Sequence, residues 1–169
     1  VVAAMGTFFV FSDYMKPAVR IAALMQVPVK FIWTHDAFRV GEDGPTHEPV
    51  EQEAQIRLME KLKNHAGKDS VRVFRPADVE ETTVCWKLAM ENVETPTALI
   101  FSRQGIANLP EGNDYEQAAK GAYIVAGSDE NPDVILVASG SEVSTLEAGC
   151  EALRADGIKV RVVSAPSEG

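Results

Sequence analysis

The stretch VPVKFIW at residues 27–33, followed by the polar run THDAFRVGEDGPTHEP at residues 34–49, decides the fold. The β-branched and aromatic residues of the first segment predict a buried strand. The second segment is long for a connection inside a compact domain, and long ordered loops are usually functional. Apolar residues at four-residue spacing then predict a helix over residues 51–64. Together the three segments indicate one strand–loop–helix unit of an α/β domain.

Further strands and helices alternate along the chain on both sides of this unit. The predicted strands cover residues 70–74, 97–101, 134–138 and 159–163, with a possible strand at 122–125, and the predicted helices cover residues 16–26, 79–91 and 142–155. This alternation predicts an α/β fold, with a mostly parallel sheet flanked by helices and then a truncated β–α–β unit. The segment 1–11 is either a strand or a buried connection.

Polar and turn-forming residues between Leu109 and Gly121 indicate a domain boundary. We expect a first domain at residues 1–112 and the beginning of a second at residues 113–169. The chain starts with Val1 rather than methionine and stops at Gly169 in a predicted loop, so we expect a fragment of a longer protein.

Capping patterns mark the starts of two predicted helices. Asp78 is followed three residues later by Glu81, and Ser139 is followed in the same way by Glu142. In a capping box the first side chain accepts a bond from a backbone N–H of the first turn, and the glutamate reaches back to the cap. Both pairs are therefore expected to close a helix N-terminus.

The charge balance limits the classes of partner. The formal net charge is −9, which argues against a nucleic-acid binder because such proteins need a basic surface. A phosphorylated small molecule is still allowed, since one or two well-placed cations bind it. The apolar run at residues 1–11 is too short to span a bilayer, so no membrane partner is expected. Cys85 and Cys150 lie in predicted helices and are expected to be reduced core thiols of a cytoplasmic protein.

Candidate binding residues follow two of the predicted strands. Ligands of parallel α/β sheets bind beyond the carboxyl ends of the strands, where His35 and Arg103 would share one edge. An Arg and a His suit a phosphate, Asp43 suits sugar hydroxyls, and His47 suits proton transfer. Each of these residues taken singly is more often plain surface, and Arg103 is equally compatible with a surface ion pair. His65 is expected to be surface only.

Three aromatic residues recur at three-residue spacing near the start of the chain: Phe8, Phe11 and Tyr14. The spacing by itself favours a place in the hydrophobic core. A flat aromatic ligand would need such a platform, because aromatic rings stack with offset geometry.

Taken together, these motifs resemble those of transketolases. The run THDAFRVGEDGPTHEPVEQ resembles the family signature, which usually begins THDS and continues through GEDGPTHQP. Other stretches match in order and spacing: GTFFVFSDY at 6–14, AALM at 22–25, RPAD at 75–78, PTALIFSRQ at 96–104 and GSEV at 140–143. The resemblance covers essentially the whole chain and implies the thiamine-diphosphate-binding fold, with most of the middle, pyrimidine-binding domain and the start of the C-terminal domain.

The resemblance implies a cofactor and a reaction. Phe8, Phe11 and Tyr14 would line the pocket for the aminopyrimidine ring of thiamine diphosphate, with Phe11 stacking on it. The implied reaction moves a two-carbon ketol unit between sugar phosphates in the pentose phosphate pathway. The family also implies a homodimer and an Mg or Ca ion bound outside these residues.

The resemblance also implies substrate contacts. His35 and Arg103 would bind the phosphate of the sugar. Asp43 would recognise the hydroxyl beside the reacting carbon. His47 would lie at the reactive centre as a catalytic residue that contacts substrate oxygens. None of these residues is implied as a metal ligand.

Some family features are missing or altered. The glutamate that activates the aminopyrimidine belongs to a stretch upstream of the aromatic run, and the diphosphate- and metal-binding domain lies further upstream. The 169 residues alone are therefore expected to show no ketol transfer and at most weak cofactor binding. Within the loop, Ala37, Phe38 and Arg39 replace the commoner Ser-Ile-Gly, and Gly105 stands where Asn is usual.

Two other interpretations stay open. Another enzyme that uses the same cofactor, such as 1-deoxyxylulose-5-phosphate synthase, has a related DGxTH segment, although the THD opening, GEDGPTHEP and SRQ favour transketolase. A non-catalytic module that kept the fold is the second alternative.

Overall fold

The computed structural model describes residues 1–36, 39–127 and 130–169. In these ranges the chain forms seven strands and four α-helices, with short 3₁₀ turns between some of them. The strands are β1 Ala4–Phe8, β2 Lys30–Thr34, β3 Arg72–Phe74, β4 Thr97–Ile100, β5 Tyr123–Ala126, β6 Val134–Ala138 and β7 Val160–Ser164, and the helices are α1 Ser12–Met25, α2 Gln52–Glu60, α3 Val79–Glu91 and α4 Glu142–Ala155.

The first sheet has four strands in the order β1-β2-β4-β3, and every pair is parallel. The register pairs Phe8 with Thr34 and Trp33 with Ile100, so the three strands end side by side. The predicted parallel sheet flanked by helices is confirmed. Residues 4–8, which the sequence left open, form an edge strand of this sheet.

The core of this sheet follows from the apolar content of its inner strands. All four residues of β4 are buried, as expected for a central parallel strand covered on both faces. Phe31 and Trp33 of β2 are also buried, and they pack with Val19 of α1 and Ile56 of α2 in one hydrophobic cluster. Burial of this apolar surface fixes which face of each helix meets the sheet.

The second sheet has three strands in the order β5-β7-β6. Strands β6 and β7 are parallel and are joined by α4, which is the predicted β–α–β unit. Strand β5 pairs with β7 in the antiparallel direction, with an irregularity between Ile124 and Ala126. The direction of β5 could not be predicted, because periodicity carries no information on strand direction.

Two helix boundaries differ from the prediction. Helix α1 starts at Ser12 rather than at residue 16, so Pro17 lies inside the helix and not in its first turn. Helix α2 ends at Glu60 rather than at residue 64. The later residues form a polar turn, in which the Asn64 side chain accepts bonds from the N–H groups of Ala66 and Lys68 at 2.9 and 3.1 Å.

The capping predictions had different outcomes. Asp78 Oδ1 accepts the Glu81 N–H at 2.9 Å, as in a capping box, and the Glu81 carboxylate accepts the N–H of Ala77 at 2.7 Å. The second predicted box is wrong, because Glu142 forms an ion pair with buried Arg75 at 2.5 Å. Arg75 also donates to the hydroxyl and the carbonyl of Ser139, both at 3.2 Å. Both members of the predicted box therefore contact the arginine.

The chain divides into two compact units. The first comprises Val1–Phe74, Trp86–Gly105 and Gly169, and the second comprises Arg75–Cys85 and Ile106–Glu168. Both cysteines are buried and free of disulfide bonds, as expected. No helix in the described part of the chain has the length and apolar character needed to cross a membrane.

Candidate active site

The candidate site lies at the carboxyl edge of the first sheet. Strands β1, β2 and β4 end at Phe8, Thr34 and Ile100, and their parallel pairing brings the residues that follow to one edge. His35 directly follows β2, and Arg103 lies three residues after β4. Ligand sites of open parallel sheets are found at this edge.

His35 is held in an uncommon backbone conformation. Its φ is +64°, in the left-handed region that few residues other than glycine adopt. The ring Nε2 lies 3.4 Å from Asp43 Oδ2, and Nδ1 lies 3.0 Å from Thr34 Oγ1. One face of the ring stacks on Phe8, with centroids 3.8 Å apart. These contacts fix the imidazole from three sides.

A tight turn between two glycines presents two carboxylates. Gly41 and Gly44 have φ of +73° and +70°, and the Gly44 N–H donates to the Gly41 carbonyl at 3.2 Å. A Cβ at position 41 would lie 3.4 Å from the guanidinium of Arg103. That distance is an ordinary van der Waals contact, so glycine is favoured there by the positive φ of the backbone, and the turn directs Glu42 and Asp43 toward the arginine.

Arg103 contacts both carboxylates of this turn. Its Nη2 lies 2.5 Å from Glu42 Oε1, and its Nε lies 3.5 Å from Asp43 Oδ2. One third of the Arg103 side-chain surface is exposed, whereas 80% of the Glu42 side chain is. The arginine is thus oriented by the partly buried Asp43 and forms an ion pair with the solvent-exposed Glu42.

His47 lies beside the aromatic residues. Its ring meets Phe11 edge-on with centroids 5.3 Å apart, and it is tilted against Phe8 at 5.8 Å. The ring Nδ1 lies 2.8 Å from Thr46 Oγ1. Among the described residues no hydrogen-bond partner reaches Nε2 of His47, so this nitrogen can exchange a proton with a ligand.

The end of the loop is anchored to helix α1. Buried Gln52 accepts the Val50 N–H at 2.8 Å and donates its amide to Asp13 Oδ2 at 3.0 Å. A hydrogen bond from Lys16 lowers the pKa of Asp13, and the bond from Gln52 acts in the same direction. The anchor ties the segment that follows His47 to the helix that carries Tyr14.

The aromatic trio does not lie in the core, so the interpretation that the spacing favoured is wrong. Phe8 and Phe11 are half-buried and 82% of Tyr14 is exposed, whereas Phe9 is the buried core residue. The reason is local geometry. Strand β1 ends at Phe8 and a 3₁₀ turn covers Phe9–Phe11, and residues three apart in such a turn lie on one side. Neighbouring centroids in the trio are 6.2 Å apart.

The sequence reasoning missed several residues of the site. Thr34 and Thr46 contact the two histidines, and the repeated Thr-His dipeptide was the signal that could have revealed them. Glu42 was missed because an exposed glutamate has no distinctive pattern. Ala37 and Phe38, where the loop departs from the usual family residues, lie outside the described residues. In the described ranges no three His, Cys, Asp or Glu residues are placed to hold a metal ion.

The arrangement combines four chemical capacities. Arg103 offers a planar donor fork for an anion, and His35 adds a second donor on the far side of Asp43. Asp43 accepts hydrogen bonds, and His47 can move a proton. The exposed face of Tyr14 and the half-buried Phe11 form an aromatic surface next to His47.

Comparison with known proteins identifies the family of both parts of the chain. Residues 1–107 match the family "Transketolase, pyrimidine binding domain", and residues 121–169 match "Transketolase-like TK C-terminal domain". The transketolase of Halalkalibacterium halodurans is 51% identical over 164 residues, and that of Bacillus subtilis is 49% identical over 166 residues. Each alignment covers 96% of this chain.

A solved structure gives the same result. The crystal structure of Pichia stipitis transketolase in complex with sedoheptulose-7-phosphate superposes with a TM-score of 0.85 at 40% identity, covering 98% of this chain. The chain spans 23% of the length of these three relatives. A family match over residues 1–107 of 169, with sequence and structure in agreement, shows that the chain belongs to the transketolase family.

Proposed function

We propose that this chain supplies substrate- and cofactor-binding residues of a transketolase, which transfers a two-carbon ketol unit from a ketose phosphate to an aldose phosphate. The proposal rests on one observation: His35 Nε2 and Arg103 Nε lie 3.4 and 3.5 Å from the same oxygen atom, Asp43 Oδ2. Two cationic or titratable side chains from separate loops form an anion site at the sheet edge where ligands of this fold class bind. The Pichia stipitis relative is described in complex with sedoheptulose-7-phosphate, a substrate of this chemical class.

Arg103 and His35 are proposed to bind the sugar phosphate. The contact with Asp43 orients the guanidinium of Arg103. Its second contact is with Glu42, which is exposed, so that an incoming phosphate can displace the glutamate. A phosphate carries more charge than a carboxylate and accepts two parallel bonds from the arginine fork. Asp43 contacts both donors, and it is proposed to accept a hydrogen bond from a sugar hydroxyl.

His47 is proposed as the residue that moves protons at the reacting carbons. It lies 5.3 Å from Phe11 by ring centroids and is tilted against Phe8, whose ring stacks on His35. Its Nε2 is not engaged by the described residues, and imidazole is the side chain best suited to proton transfer near neutral pH.

The aromatic surface fits the aminopyrimidine of thiamine diphosphate. One face of Phe8 is taken by His35, so Phe11 and Tyr14 offer the faces that a flat ring would contact, with Phe8 at its border. When bound, this cofactor supplies the electron sink for breaking the carbon–carbon bond. The chain's own residues hold its ring beside His47 and keep the sugar phosphate within reach.

Other properties of the enzyme are proposed from family membership. We infer a homodimer in the cytoplasm and a divalent Mg or Ca ion held by residues other than those present here. The domain limits are proposed as residues 1–112 for the pyrimidine-binding domain and residues 113–169 for the start of the C-terminal domain. The family matches at 1–107 and 121–169 support both limits.

A chimaera tests the proposed function. This chain replaces the matching segment of the Bacillus subtilis transketolase, with which it shares 49% identity. The purified chimaera is assayed with xylulose-5-phosphate plus ribose-5-phosphate, and separately with pyruvate plus glyceraldehyde-3-phosphate. Ketol transfer with the first pair only is the expected result. A folded chimaera that acts only on the second pair, or on neither, would overturn the proposal.

A further inference from the structure

The loop after β2 contains the dipeptide Thr-His twice, and the two copies make the same local contact. Thr34 Oγ1 lies 3.0 Å from Nδ1 of His35, and Thr46 Oγ1 lies 2.8 Å from Nδ1 of His47. A hydroxyl can donate to or accept from an imidazole nitrogen, so this contact alone does not place the ring proton. The other contacts of each pair determine which nitrogen carries the ring proton, and the result differs between His35 and His47.

The position of the His35 ring proton is determined by the carboxylate of Asp43 beside it. Its Nε2 lies 3.4 Å from Asp43 Oδ2, and an ionised carboxylate only accepts hydrogen bonds. The proton of a neutral His35 ring therefore sits on Nε2. Its Nδ1 is then an acceptor, and the Thr34 hydroxyl donates to it.

The position of the His47 ring proton depends on the single proton of the Thr46 hydroxyl. Thr46 Oγ1 lies 3.3 Å from the carbonyl oxygen of Asp43 and 2.8 Å from Nδ1 of His47. A carbonyl oxygen only accepts, so the hydroxyl must donate to it if that bond is to form. The same oxygen can then only accept from His47, which requires the His47 proton on Nδ1.

We propose that Thr46 is a positioning residue that holds His47 in the Nδ1–H tautomer, opposite to the tautomer of His35. The lone pair of His47 Nε2 is then directed away from Thr46 and is ready to accept a proton. His35, with its proton on Nε2, serves as a donor. The tautomer itself does not depend on the proposed function, but its use in catalysis rests on it.

The competing arrangement has a different signature. If the Thr46 hydroxyl donates to Nδ1, the Asp43 carbonyl is left to solvent and both histidines carry their proton on Nε2. Thr46→Val removes the hydroxyl with little change in volume, and Thr46→Ser keeps it. Thr34→Val is the matched control, because it removes the same group from the other dipeptide.

Nitrogen-15 spectra of the histidine rings decide between the two arrangements. The chain has three histidines, so the spectrum is simple, and His65 serves as a reference. In the neutral form of each ring, the protonated nitrogen is identified by its couplings to the ring protons. We expect His47 protonated on Nδ1 and His35 on Nε2. Both rings protonated on Nε2 would overturn the proposal.

Variants of Thr46 test whether its hydroxyl holds the His47 tautomer. Thr46→Val is expected to abolish the preference of His47 for Nδ1–H while leaving His35 unchanged, and Thr46→Ser is expected to restore it. In the chimaera, Thr46→Val should lower kcat about tenfold with the KM for sugar phosphate nearly unchanged, because the phosphate contacts remain. An unaltered His47 spectrum in Thr46→Val would contradict the positioning role of Thr46, and an unaltered kcat would contradict the use of the tautomer in catalysis. A chimaera that is inactive without any substitution would instead count against the proposed function.

Discussion

His35 and Arg103 approach the same oxygen atom, Asp43 Oδ2, at 3.4 and 3.5 Å, although they follow different strands of the first sheet. The shared carboxylate orients an imidazole and a guanidinium from two sides. It also leaves part of the Arg103 guanidinium accessible to a ligand, since one third of that side chain is exposed. We interpret this as an anion site held in place by the partly buried carboxylate of Asp43.

Replacing Arg103 with alanine should weaken the use of phosphorylated sugars. A hydrogen bond to a charged group contributes about 1.5–3 kcal/mol, and partial exposure favours the lower value. In the chimaera we expect the KM for xylulose-5-phosphate to rise about tenfold or more. Sugars without phosphate should be affected little. Steady-state kinetics with both kinds of substrate measure the difference.

Arg20→Ala provides the matched control for this experiment. Arg20 lies exposed on helix α1, outside the candidate site, and its loss removes the same charge from the chain. It should leave the KM unchanged. An equal rise of the KM in both variants would show that net charge, and not the site, is responsible.

Replacing Glu42 with glutamine should strengthen phosphate binding. The Glu42 carboxylate lies 2.5 Å from Arg103 Nη2 and competes with a substrate phosphate for it. A neutral amide competes less, so the KM for phosphorylated substrates should fall by a few-fold, most clearly at low salt. Glu48→Gln, in the same loop, removes one charge without that contact and serves as control. A KM that rises in Glu42→Gln would argue that the glutamate holds the arginine for the ligand.

Two glycines of the second unit should respond oppositely to alanine. Gly140 has φ of +58°, and a Cβ there would lie 2.7 Å from Nε of Arg75, which Ser139 and Glu142 hold in place. Gly140→Ala should lower the free energy of unfolding by at least roughly 1–2 kcal/mol, the cost of a left-handed residue with a Cβ. Urea unfolding curves measure this change.

Gly149→Ala is the internal comparison. Gly149 lies inside α4, and among the described residues no atom outside the adjoining helix backbone lies within 4 Å of where its Cβ would be, so alanine should stabilise the chain by roughly 0.5–1 kcal/mol. If Gly140→Ala is as stable as Gly149→Ala, then Arg75 is not fixed in the way described.

Buried Glu81 should make stability depend on pH. Burial raises the pKa of its carboxyl above the ordinary 4.5, although it accepts bonds from the Ala77 N–H and the Tyr123 hydroxyl. The folded state therefore binds this proton more tightly than the unfolded state. The stabilisation from protonated Glu81 is full below about pH 4.5 and is lost as the pH rises through the folded-state pKa.

Glu81→Gln should remove this part of the pH dependence. The free energy of unfolding, measured in urea from about pH 4.5 upward, should fall less steeply with pH than in the parent. The exposed Glu151→Gln should leave the slope as it is. Identical slopes in all three proteins would mean that Glu81 does not titrate as its burial implies.

The sequence was most informative where one physical signal dominated. Strand β4 is a short apolar run and was predicted within one residue, because a central parallel strand must be apolar on both faces. The common edge of His35 and Arg103 followed from parallel strands alone. Their meeting at Asp43 did not, because it depends on the backbone of the Gly41–Gly44 turn.

Other features depended on competition between local signals. The spacing of Phe8, Phe11 and Tyr14 is typical of a buried helix face, but the strand ends within the run and a 3₁₀ turn exposes one side. Ser139 and Glu142 match a capping box, but a buried arginine binds both. In both cases a tertiary or geometric constraint outweighed a local pattern, and single-sequence periodicity does not contain that constraint.

Titration of the chain with ribose-5-phosphate tests the central claim most directly. The ring signals of the three histidines are followed, with unphosphorylated ribose as the comparison and Arg103→Ala as the matched variant. We predict that the phosphate shifts the signals of His35 and His47 but not of His65, that ribose shifts them far less, and that Arg103→Ala abolishes the response. Equal responses to both sugars, or a response undiminished in Arg103→Ala, would contradict an anion site at His35, Asp43 and Arg103.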